Sequence, residues 1–160
     1  MTNYPKADLL IEAISSHFLN FRNLNARRIV GIGFLCDWKH CIEFGVPITE
    51  CNWLIAENWI ESQEFSFALF THKCLSFPEL KDSASPSISA DAAYPYVSGS
   101  SEDTVCKHVF TALEKRTDFD FDKIILSTYP FNITGAVDIV SLSKEYRHKY
   151  GSEYTPKLRA

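Results

Sequence analysis

RRIVGIGFLC, residues 27–36, is the stretch on which the fold turns. It is apolar and rich in β-branched residues. Alternation sets Gly31 and Gly33 on one side and Val30, Ile32 and Phe34 on the other, so the spacing predicts a strand. Two glycines on one side let another backbone or an aromatic ring approach closely. Asp37-Trp38-Lys39-His40 then reads as a hairpin loop of about four residues. Residues 41–47 read as a second strand, returning antiparallel and ending before Pro47.

Upstream, residues 6–24 carry Leu10, Ala13, Ile14, His17, Phe18, Phe21 and Leu24 at spacings of three and four, which predicts an amphipathic helix. Downstream, Thr49 is the expected N-cap of a helix over 50–62, with Glu50 in its first turn. On a helical wheel Glu50, Glu57, Glu61 and Glu64 share one face. Ile55, Ala56 and Trp59 oppose them, and Trp53 and Leu54 border the acidic stripe. Residues 65–71, FSFALFT, alternate as a strand, and 123–129, KIILSTY, read as a buried one.

Serine and proline dominate 76–103, so that stretch reads as a flexible loop with Tyr94-Pro95-Tyr96 as an anchoring spot. A helix is expected from near Ser101, with Glu102 and Asp103 in its first turn, and another over 137–150. The fold class that follows is α+β: a mostly antiparallel sheet of about four strands with helices packed on it. At 160 residues the chain reads as a single domain, 1–160.

The composition, 46% apolar and 22% charged, is that of a globular protein. A formal net charge of -4 argues against general nucleic-acid binding. No apolar run reaches the length of a membrane span, and Met1 to Ser16 does not have the form of a secretory signal, so a cytoplasmic setting is expected. The five cysteines, irregularly spaced, read as reduced and mostly buried thiols.

Several chemical sites are testable on spacing. Cys36, His40, Cys41 and Cys51, or His72 with Cys74, supply zinc-type ligands but not the paired close spacings of structural zinc sites. A cysteine nucleophile with His40 or His72 as base needs a meeting in space that sequence does not show. Asp118-Phe119-Asp120-Phe121-Asp122 begins like a calcium loop, but Lys123 and Tyr129 stand where glycine and glutamate are required. It reads instead as a turn into the strand 123–129. Gly31-Ile32-Gly33 lacks the rest of a dinucleotide fingerprint. No cofactor, metal or catalytic residue is therefore assigned. The segment 144–159 is basic, with Lys144, Arg147, Lys149, Lys157 and Arg159, and reads as a solvated helix face with a frayed tail.

The remaining signal is a surface. Trp38, Trp53 and Trp59 fall within 22 residues of the most acidic part of the chain. Aromatic side chains anchor interfaces, and clustered carboxylates select a basic partner. The expected partner-binding residues are Trp38, Glu50, Trp53, Glu57 and Glu61, reinforced by Asp118, Asp120 and Asp122, with Trp59 in the core. In type — small, acidic, α+β, aromatic-rich and motif-free — the chain resembles bacterial toxin-immunity proteins. That resemblance carries over no site residues. It implies a non-catalytic domain that neutralises a cognate toxin, a basic nuclease being one such target. The alternatives are a small enzyme with a cysteine or acid–base site, and a structural or adaptor subunit.

Overall fold

The stretch 27–36 is helix. It forms the first half of α2 (Ala26–Phe44), the central element of a computed structural model that describes residues 3–19, 24–57, 59–116 and 118–150. Around α2 pack α1 (Pro5–His17), α3 (Gln63–Phe70), α4 (Ser101–Glu114), α5 (Asp118–Leu126) and α6 (Ile139–Tyr150). A helix enclosed in this way is apolar on every side, so its sequence loses the one-faced pattern by which amphipathic helices are read. Ile29, Ile32 and Cys36 share one face of α2 and Phe34 lies on another, and all four are fully buried. Each such aliphatic or aromatic side chain stabilises the fold by roughly 2 kcal/mol on leaving water.

Both ends of α2 are satisfied by distant parts of the chain. The Asn25 side chain accepts from the Arg28 backbone N–H, and the carbonyls of Ala84 and Asp82 accept from the N–H groups of Ala26 and Arg27. At the other end Gly45, at φ +84°, donates its N–H to the Cys41 carbonyl. Arg147 of α6 donates to the carbonyls of Cys41 and Ile42 at 2.7 and 3.2 Å. Four otherwise orphaned groups of the first turn and the last carbonyls are the normal cost of a helix end. Here the flanking residues Asn25 and Gly45 and two distant segments, 82–84 and α6, supply the partners.

The hairpin expected at 37–40 lies inside α2, and the strand expected at 41–47 is the last turn of α2, to Phe44, followed by a loop from Gly45 to Pro47. The helix expected over 50–62 is a β-hairpin, β1 (Trp53–Ala56) paired antiparallel with β2 (Trp59–Glu61). Its period is two: Trp53 and Ile55 face the core while Leu54 faces out. The strand expected at 65–71 is α3, capped by the Ser62 hydroxyl, which accepts from Phe65 N–H at 3.1 Å. The strand expected at 123–129 is the second half of α5. In each case a short, heavily buried apolar run was ambiguous between the two periods, and tertiary packing chose.

The class itself holds. The fold is α+β, with the antiparallel sheet β2-β1-β5, where β5 is Gly135–Val137. A two-stranded pair joins β3 (Leu75–Ser76) to β4 (Ser87–Ile88). The amphipathic helices expected at the N-terminus, near Ser101 and over 137–150 are α1, α4 and α6. Residues 20–23, where the first was expected to continue, and the tail 151–160 lie outside the described residues. Among the described residues no helix is long and apolar enough to cross a membrane.

The segment between β3 and α4 is tied down at named points. Leu75 and Ser76 pair with Ile88 and Ser87, and Ala84 is buried against the start of α2. Tyr94 donates its hydroxyl to Asp103 at 2.7 Å, and Gly99 N–H donates to the same carboxylate at 2.9 Å, with Lys107 at 3.2 Å. Burial opposes the Asp103 charge, but these donors outweigh it and hold the carboxyl below its ordinary value. A carboxyl depressed in the folded state adds stability above the unfolded value of about 3.9, and that stability is lost as pH falls through the lower folded value. Asp103→Asn is expected to cost about 2 kcal/mol in urea unfolding at neutral pH. The gap between variant and wild type should narrow as pH falls below the unfolded value of about 3.9 and close once the lower folded value is passed. A gap that persists unchanged in acid would show that the charge is not what the segment responds to.

Candidate functional site

Asp37 organises the region that the sequence marked as acidic and aromatic. It sits in the middle of α2, fully buried. Its Oδ1 accepts from the backbone N–H groups of Ile48 and Thr49, both at 2.9 Å. Its Oδ2 accepts from the Thr49 hydroxyl and from the Trp53 indole N–H at 2.9 Å. Burial raises the carboxyl above its ordinary value, and the four donors offset only part of that rise. Four donors with no facing acceptor make the environment of a carboxylate. The charge pins the segment 48–53 to α2 and so sets where β1 begins. Trp53 then packs between Phe34 and Phe65, with ring centroids 5.5 and 5.4 Å away.

The outward face of the sheet follows from this anchorage. Across it Glu61, Leu54 and Ala136 lie side by side as cross-strand partners, all exposed. Leu54, at 41% exposure, is the apolar centre of the row. Ala136 also lines a cleft of about 510 Å³ shared with Glu50, Asn52, Asp138 and Val140. Glu57 stands exposed at the turn after β1 with φ +51°, a left-handed conformation in which a non-glycine residue is strained. Glu61 thus lies beside Leu54 in the row, and Glu50 and Asp138 line the cleft next to Ala136.

The expected anchors fare differently from the expected rim. Glu50, Glu57 and Glu61 are exposed, but on a loop, a turn and a strand and not as one helical stripe. Trp53 is 3% exposed and Trp38 6%, so neither offers a partner a free ring. Trp38 is on α2 and stacks on Tyr129, with centroids 6.0 Å apart. Strand alternation is the reason for Trp53: the residue that borders an acidic stripe on a helix points inward on a strand, and its neighbour Leu54 takes the outer place. Trp59 is buried as expected, beneath the Arg27 guanidinium at 3.5 Å, with its indole N–H on the Arg27 carbonyl.

Of the other acidic residues, Asp122 is not free for a partner: it accepts from Arg28 at 3.0 Å and from Arg27 at 3.4 Å. Asp120 is exposed on α5. The Asp118 side chain lies outside the described side chains. These three carboxylates belong to a helix and not to the turn that spacing had implied. Glu43 is buried beside Lys39, and Glu64 accepts from Asn52 N–H at 3.0 Å. Asp138, not singled out from sequence, belongs to the exposed set. Its signal was legible as the N-cap of α6, where it accepts from the Ser141 N–H.

The thiol and histidine groups form no site of the expected kind. All five cysteines are free and buried. Burial pushes Cys41 and Cys51 up to about 12 and raises Cys36 well above its ordinary value. Such thiols stay protonated and unreactive at neutral pH. His40 bonds the Val46 carbonyl at 2.6 Å and the Ser101 hydroxyl at 2.9 Å. His72 accepts from Cys74 backbone N–H, not from its thiol. Among the described residues no group of three or more His, Cys, Asp or Glu side chains is arranged to hold a metal ion. Comparison with protein-family models, curated proteins and solved structures found no match.

Proposed function

We propose that this chain is a non-catalytic protein-binding domain of the toxin-immunity type, gripping a basic partner through the outward face of its sheet. The observation that carries the reading is the row Glu61–Leu54–Ala136, exposed, with Glu50 and Asp138 lining the cleft beside Ala136. An apolar centre with a charged rim is the usual anatomy of a specific interface. Carboxylates of one sign speed encounter with a basic surface and set its register. The strain at Glu57 supports the same reading, since an unfavourable φ is retained where a carboxylate stands at the tip.

The test is capture of the protein encoded by the neighbouring gene, since immunity proteins are normally encoded beside their toxins. Glu50→Lys with Glu61→Lys should weaken capture by at least about tenfold, and raising salt should weaken the wild type in the same direction. Glu57→Gly separates fold from function. It should stabilise the domain by up to about 1 kcal/mol while lowering affinity. A captured partner that is acidic, or whose binding ignores charge reversal, would remove this reading.

A further inference from the structure

A second concavity lies on the other end of α6, away from the sheet face. Between the end of α5, the 3₁₀ turn Tyr129–Asn132 and α6 there is a cleft of about 480 Å³, within the size range of small-ligand sites. Four rings build it. Trp38 is the floor, parallel to Tyr129 at 6.0 Å with 10° between the planes. Tyr146 stands edge-on to both, at 5.7 and 5.4 Å, and Tyr150 leans on Tyr146 at 4.8 Å. Tyr129, Tyr146 and Tyr150 are half-buried, so their rings reach solvent.

What these rings accept is visible. The Lys149 ammonium sits 6.0 Å from the Tyr129 centroid and 5.5 Å from that of Tyr150. Those distances are at the outer edge of the cation–π range, so the contact is loose and displaceable. Tyr129 donates its hydroxyl to Glu145 at 2.9 Å. A phenol that donates to a carboxylate gains ring electron density and attracts a cation more strongly. The cleft also opens at the C-terminal end of α6, where the helix dipole favours positive charge. Among the described residues that line the cleft none is charged. Lys144 and His148 are exposed elsewhere on α6, together with the Glu145 carboxylate already named.

We propose that this cleft is an aromatic cage for an alkylammonium group, with Lys149 as its built-in competitor. The ligand chemistry is a tetraalkylammonium or methylated lysine, whose charge is spread over methyl groups and which loses little hydration on entering an aromatic site. Lys149 holds the cage in the free protein and leaves when the ligand enters. The site is independent of the sheet face and does not rest on the reading of that face.

Tetramethylammonium chloride is the first probe, titrated against sodium chloride at equal ionic strength and followed by tyrosine and tryptophan signals in NMR. Saturable binding is expected for tetramethylammonium and not for sodium. Tyr150→Ala, at the solvent edge of the cage, should weaken it about tenfold, the loss of one ring contact. Lys149→Ala should tighten it by a similar factor, an effect opposite in sign to that of an ordinary ligand-contacting lysine. Choline and a trimethyllysine peptide then separate the two sources: tighter binding of the peptide points to a partner protein, tighter binding of choline to a small molecule. No saturable binding, binding indifferent to Tyr150, or weaker binding in Lys149→Ala would each overturn the proposal. Tight binding of a phosphate-bearing anion lost in Lys149→Ala would overturn it too.

Discussion

Asp37→Ala is expected to destabilise the fold by about 4 kcal/mol in urea unfolding, a large effect for a single side chain. The carboxylate is fully buried and takes four donors: two backbone N–H groups, a hydroxyl and the Trp53 indole. Alanine leaves all four in a dry interior, and each unsatisfied buried donor costs about 1–3 kcal/mol before the structure relaxes. The losses are not additive, because freed strands of the segment 48–53 recover some bonds by shifting toward water. Asp37→Asn is the sharper comparison. Its amide keeps one accepting oxygen but turns an NH2 toward donors, so it should recover only part of the loss. Thr49→Val removes one of the four donors to Asp37 and also the acceptor of the Cys51 N–H, and should cost at least about 1 kcal/mol. If Asp37→Ala unfolds within about 1 kcal/mol of wild type, the carboxylate does not hold β1 in place.

Gly33→Ala should cost about 2 kcal/mol net, although alanine is the better helix former by about 1 kcal/mol. A Cβ at Gly33 would lie 2.5 Å from two atoms of the Phe65 ring. Phe65 is fully buried and leans on Trp53 at 5.4 Å, so the ring has nowhere to retreat. Overpacking therefore exceeds the propensity gain. The diagnostic is a double substitution. Gly33→Ala with Phe65→Leu should be less destabilised than the sum of the two singles, because the smaller side chain clears the new methyl. Additivity within experimental error would show that the two residues do not meet. Gly45→Ala serves as a control of different origin: nothing lies within 4 Å of its Cβ, and its cost should reflect only the positive φ.

Gly33 also shows how sequence reading can be right about chemistry and wrong about geometry. Another backbone or an aromatic ring was expected to approach the two glycines, and at Gly33 it is the ring of Phe65. On a strand Gly31 would have faced the same way. On α2 it turns aside to meet Ile125 and Trp59. The helix left two marks in the sequence that outweigh the alternation inside it. Asn25 and Gly45 are cap residues set one long helix apart, and both cap in the structure. The hairpin was not legible in this way: Trp53, Leu54, Ile55 and Ala56 are all apolar, and the alternation of buried and exposed positions appears only in the structure. On a wheel the same residues gave an acidic stripe, and the exposure of Glu50, Glu57 and Glu61 survives the change of element because all three are charged.

The sequence by itself determined what water contact writes into a chain. It marked the amphipathic helices α1, α4 and α6, the capping acids of α4, the buried thiols, and the carboxylates that stay at the surface. It could not determine what happens out of reach of solvent. A segment enclosed on all sides, as 27–36 is, shows no contrast between a wet and a dry face, so helix and strand look alike in it. The carboxylate of Asp37 looked like part of an acidic belt, and only packing reveals it as the buried acceptor of four donors. Trp38 and Trp53 looked like surface anchors, and only the choice of element turned them inward. Tertiary structure decided those points because burial depends on which neighbours close around a residue, and neighbours far apart in sequence meet only once the chain is folded.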